Sequence, residues 1–92
     1  MNTNVMIYIQ NSRDIYQITE WLQNSVAKRI KKGQPVTVDH LAGCASMAKI
    51  IRMAVAMCRK WQEPLPTKEE VKEIKRMHAE YIIECANCNV KS

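Results

Sequence analysis

Four residues of this chain have the chemistry and the spacing to hold a soft metal ion. His40 and Cys44 stand four apart, one helical turn, and Cys85 and Cys88 form a C-x2-C towards the other end of the sequence. Three thiolates and an imidazole around one point would suit tetrahedral zinc, and the metal would staple a small core. The competing account is that Cys44 and Cys85 occupy apolar seams, where cysteine packs as a small hydrophobe. The H-x3-C pair also matches zinc frameworks less well than a second C-x2-C or an H-x3-H would. A redox role for Cys85-Ala86-Asn87-Cys88 is disfavoured because the pair ends a helix, whereas a reactive thiolate is stabilised at a helix N-terminus.

The second candidate chemistry is electrostatic. The chain carries a net charge of +5, and no acidic residue occurs between Asp39 and Glu63. Lys49, Arg52, Arg59 and Lys60 lie along that stretch, and Lys28, Arg29, Lys31 and Lys32 crowd a segment just upstream. Cations at such spacing could contact the phosphates of a nucleic acid. A bland account exists for each group. The upstream cluster suits the C-terminal end of a helix dipole, and the downstream stripe could be paired within the protein. A helix-turn-helix over Val38–Met47 is not indicated, since Gly43 falls early and Ala45 to Ala48 continue the helical period.

These residues must be positioned by helices. Two glycines and three prolines in 92 residues leave few breakers. Ser12 or Asn11 caps a first helix over 13–32, with Asp14 in its first turn, the stripe Ile15, Ile18, Leu22, Val26 and Ile30, and Gly33 as its stop. A second helix is expected from Thr37 or Asp39 to about Trp61, with seams through Leu41, Cys44, Ala48, Ile51, Val55 and Cys58 and through Met47, Ile50, Ala54, Met57 and Trp61. The capping box Thr67-Lys68-Glu69-Glu70 opens a third helix with the seam Val71, Ile74, His78, Tyr81 and Cys85, ending near Ala86 or Asn87. The β-branched and aromatic run Val5–Ile9 reads as a short strand, with Val36–Val38 or a second subunit as its partner.

The expected fold is therefore mainly α: one domain over 1–92, with three helices and a short N-terminal β-strand. The connector Gln62-Glu63-Pro64-Leu65-Pro66 is read as joining the second and third helices in an antiparallel hairpin. That register would set Glu80 level with Lys49, Glu70 with Arg59 and Glu69 with Lys60, answering the basic stripe internally. It would also set Cys44 level with Cys85 and His40 with Cys88.

No glycine-rich phosphate loop, paired-carboxylate cleft or serine-histidine-acid grouping is recognisable, so the chain is expected not to be an enzyme and to bind no small-molecule substrate. The N-terminal residues lack the basic and apolar regions of a signal peptide, and Ile50–Cys58 is too short and too charged to span a membrane. Cytoplasm and reduced thiols are the expectation. The run Trp21-Leu22, then Val26 to Gly33, followed by Val36 to Leu41, resembles small uncharacterised helical proteins encoded in bacterial prophages, over roughly the first half of the chain. The resemblance implies a mobile-element accessory protein and transfers no functional residue. On the residues themselves, the leading expectation is a non-catalytic helical interaction module that self-associates, because the second helix and the strand edge want more cover than one chain supplies. Its alternatives are a non-specific nucleic-acid-binding accessory protein and a small zinc-stapled domain.

Overall fold

The chain folds into five helices among its described residues. The computed structural model describes residues 3–91, and these form α1 (Thr3–Asn11), α2 (Arg13–Lys31), α3 (Val38–Ala42), α4 (Ala45–Lys60) and α5 (Lys68–Lys91). The expectation of three helices and a strand is corrected at three places.

The first is the N-terminal run. Val5 and Ile9 stand one helical turn apart and are both buried, while Ile7 between them is half exposed. That pattern is the signature of a helix face, and α1 lays it on α4. β-Propensity mostly measures how well a side chain fits a pleated neighbour. Here no neighbouring strand exists among the described residues, and Thr37, in the segment named as a strand partner, instead caps α3 by accepting from the His40 N–H at 3.1 Å. A helix satisfies its own backbone, so the β-branched run is helical.

The second correction is the long central helix, which is broken between α3 and α4. Cys44 adopts an extended backbone with φ −76° and ψ 160°, and its Sγ accepts from the Met47 N–H at 3.4 Å, so it is the N-cap of α4. The apolar spacing runs unbroken across this junction, yet a turn interrupts it, against the expectation for Val38–Met47. It is a two-residue turn after a five-residue helix, shorter than the DNA-reading pairs with their three- to four-residue turns.

The third concerns α5. It packs along α2 and α3 and touches α4 at few positions, so only α3, the first part of the expected second helix, lies on α5, and the expected hairpin pairing does not extend along α4. Two causes are visible. The apolar face of α4 is already taken by α1 and α2, and residues 62–67 act as a spacer rather than a tight turn. The left-handed residue that ends α4 is Gln62, at φ 57°. It lets the Glu63 N–H reach back to the Cys58 carbonyl at 2.8 Å, the six-to-one bond of a Schellman cap. Gly33, at φ 77°, does the same for α2, with Gln34 N–H bonded to the Arg29 carbonyl at 2.8 Å.

The core runs through all five helices: Val5 and Ile9, then Ile15, Leu22 and Val26, Leu41, then Met47, Ile50, Ile51, Ala54 and Cys58, and finally Ile74, Ala79, Ile82 and Ala86. Burial pushes the Cys58 thiol above its ordinary pKa, as expected of a cysteine that serves as a hydrophobe. Tyr8 closes the other side of α1 by donating its hydroxyl to Glu63 Oε1 across 55 positions of chain. That carboxylate contact, with some desolvation, pushes the phenol up to about 12. Thr67 and Glu70 form the reciprocal capping box at the start of α5, at 2.9 and 3.2 Å. The buried stripe of α5 is Ile74, His78, Ile82 and Ala86, which leaves Tyr81 exposed and Cys85 half-buried, about one position round from the expected seam.

Candidate nucleic-acid interface

The acid-free stretch folds into α4, and its helical period decides which residues share a face. Ala45, Lys49, Arg52, Ala56, Arg59 and Lys60 are all exposed. At 100° per residue they fall within an arc of about 100°. The opposite arc holds Met47, Ile50, Ile51, Ala54 and Cys58, all buried. The stripe is therefore a by-product of how α4 packs: α1 and α2 claim the apolar side, and the cations are left facing solvent. From Lys49 to Arg59 it runs about 15 Å along the axis.

Whether such a stripe is answered from within the protein depends on what packs beside it. The expected partners Glu69, Glu70 and Glu80 belong to α5, which lies against α2 and α3 instead. Among the described residues the one ion pair is Arg76 with Asp39, between α5 and α3 and well exposed. Lys49, Arg52 and Arg59 are in no ion pair there, and Lys60 sits 5.7 Å above the ring of Trp61.

The other expected cations lie at the end of α2. Lys28, Arg29, Lys31 and Lys32 are exposed, and Lys28, Arg29 and Lys31 stand in the last turn of the helix, where positive charge suits its dipole. Arg29 borders a hollow of about 200 Å³ that also involves Ala45 and Ser46 at the start of α4. The structure thus brings one member of the α2 cluster to the N-terminal end of the α4 stripe. A larger depression of about 570 Å³ continues between α2 and α4, where Trp21 and Lys49 face a shared space. Trp21 is 62% exposed. The sequence puts it merely beside the apolar stripe of its helix, and no spacing rule separates a flanking tryptophan that packs from one that faces water.

The four expected metal ligands do not share one pocket: His40 and Cys44 border the same hollow, and Cys85 and Cys88 lie elsewhere. His40 is exposed on α3, Cys44 caps α4, and Cys88 is exposed near Val38 of α3. Cys85 faces a different cleft, among α1, α2 and α5. Among the described residues no group of three His, Cys, Asp or Glu side chains is placed to hold a metal. The expected convergence rested on a hairpin register that α4 and α5 do not share.

That second cleft, of about 690 Å³, carries the remaining titratable chemistry. Thr19 Oγ1 and His78 Nε2 are 2.9 Å apart and buried, and the imidazole stacks on Tyr81 with centroids 6.0 Å apart. Burial lowers the His78 pKa to about 4. Tyr81 bonds Cys85, which raises its pKa. No carboxylate lines the cleft to orient the imidazole, and Thr19 is 5% exposed. The pair therefore satisfies two buried polar groups and offers no accessible nucleophile. Sequence reasoning misses Thr19, although it falls one turn after Ile15 on the expected face; that spacing is the signal that could have found it.

Among the described residues no helix is long and apolar enough to cross a membrane. No family model, curated protein or solved structure matches this chain.

Proposed function

We propose that this chain is a non-catalytic nucleic-acid-binding protein that grips the phosphate backbone with the exposed face of α4. One observation carries the reading: Lys49, Arg52, Arg59 and Lys60 share an acid-free exposed face and are engaged in no ion pair among the described residues. An internally paired stripe would have been screened by its own carboxylates; an unpaired one focuses positive potential. The net charge of +5 and the Lys28, Arg29, Lys31 and Lys32 cluster of α2 add to that field. Ala45 and Ala56, lying among the cations, let the helix approach a phosphate strand closely. No side-chain set resembling a base-reading pattern accompanies the stripe, so binding is non-specific in sequence.

Self-association, the other reading raised by the sequence, is less favoured by this geometry. The strand edge that suggested it is a helix, and within the chain α4 already buries Met47, Ile50, Ile51, Ala54 and Cys58.

The test is titration of a labelled DNA duplex at a series of salt concentrations. Each neutralised phosphate contributes a slope of roughly −0.9 in log K against log salt, so four cations give about −4. The variant K49E/R52E/R59E should lose most of the affinity and flatten the slope. Failure to bind either duplex or single-stranded DNA at low salt, or an unchanged slope in the variant, overturns the proposal.

A further inference from the structure

Phosphate contacts along α4 explain an attraction to any nucleic acid, but the depression between α2 and α4 is built for something other than a phosphate. Its wall on the α2 side is Trp21, more than half exposed, and Ile18 and Met53 give it an apolar floor. Lys49, a member of the cationic stripe, stands at its margin together with Asp14 and Gln17. A carboxylate at this position repels a phosphate and accepts hydrogen bonds from amino groups. An aromatic face, a thioether and an aliphatic side chain suit a flat heteroaromatic ring. Beside them Lys49, on the exposed face of α4, can hold the backbone phosphate of the same nucleotide. Each face of a stacked base is hidden inside a duplex, so a ring can enter the depression only from an unpaired strand.

We infer that the α2/α4 depression receives an unpaired nucleobase stacked on Trp21, so that the chain prefers single-stranded to double-stranded nucleic acid. The inference rests on the proposed function of α4 and names the class of nucleic acid it serves. Lys49 belongs to both features, which makes the base site continuous with the backbone track. Sequence-tolerant stacking on an aromatic platform beside a cationic groove is the general chemistry of single-strand binding.

The experiment uses the full chain carrying Trp61→Phe, which leaves Trp21 as the one tryptophan. It is titrated with a mixed-sequence DNA strand and, separately, with the duplex of that strand. The strand should quench Trp21 emission to saturation and bind the tighter of the two, while the duplex binds without that quenching. In the otherwise unaltered chain, Trp21→Ala should weaken single-strand binding about tenfold and leave duplex binding unchanged, and Trp21→Phe should restore most of the loss. Because Trp21 is exposed, its removal does not open the core, and circular dichroism of each variant checks this. Equal affinity for strand and duplex, or unquenched Trp21 at saturation, overturns the inference and leaves the α4 proposal standing. Absence of binding to either probe overturns both.

Discussion

Lowering the pH should destabilise this protein through one side chain, His78. The residue is 6% exposed, and burial brings its pKa from the ordinary 6.5 to about 4. The unfolded chain takes up a proton as the pH falls through about 6.5, whereas the folded chain does so only near 4. Between those values the unfolded state binds more protons, so stability falls as pH falls. Above the window the neutral imidazole contributes no pH dependence; below it the loss is complete. A tenfold change in proton affinity is worth about 1.4 kcal/mol, so the whole loss is about 3 kcal/mol, and about 2 kcal/mol is gone by pH 5. Ordinary carboxylates protonate mostly below that point, which makes the interval from about pH 7.5 to 5 the informative one. Denaturant melts across it should show the wild type losing about 2 kcal/mol more than His78→Gln, which has no proton to gain. Proton NMR of the imidazole should find it untitrated in the folded protein until well below pH 6. Parallel stability curves for the two proteins, or a folded-state midpoint near 6.5, would refute the argument.

Two further outcomes follow from the helix ends. Gln62 holds a left-handed backbone at φ 57°, so Gln62→Gly should raise stability by about 0.5–1 kcal/mol in denaturant melts, since glycine meets no steric penalty there. Cys44 caps α4 through sulfur at 3.4 Å, and Cys44→Ser should match or exceed wild-type stability while Cys44→Ala loses about 0.5–1 kcal/mol. Destabilisation of the serine variant comparable to that of alanine would show that the thiol is valued for something other than capping.

The parts of the fold that the sequence announces are those fixed by local chemistry. Ser12 ahead of Asp14, Gly33 after a basic turn, and the Thr67–Glu70 box each bound a helix by satisfying end groups within a few residues, and each boundary stands where its residues put it. The break at Gly43–Cys44 is illegible because Leu41, Cys44, Ala48, Ile51, Val55 and Cys58 keep helical spacing across it, and a sulfur N-cap is a faint signal. The helix over Val5–Ile9 is equally hidden. Its side chains suit a strand, and what decides is the face of α4 they meet. The cations of the candidate site can be named from the sequence, but whether carboxylates answer them cannot. That depends on which helix α5 chooses, and a connector containing Pro64 and Pro66 limits the local backbone without dictating a direction.

The bond between Thr19 and His78 also bears on how sharply α2 and α5 are aligned. The other buried positions they share are aliphatic, Ile15, Leu22 and Val26 on one side and Ile74, Ile82 and Ala86 on the other, while Tyr81 and Gln23 hydrogen-bond nearer the surface. Such surfaces are forgiving, and sliding one helix past the other by a turn, about 5.4 Å, would still set hydrocarbon against hydrocarbon. The single hydroxyl and the single imidazole are not interchangeable with their neighbours. After a slip of one turn each would face an aliphatic group, leaving two polar groups dry and partnerless at a cost of about 1–3 kcal/mol apiece. One buried pair thus acts as a vernier mark, selecting a single alignment from several that the grease alone would accept.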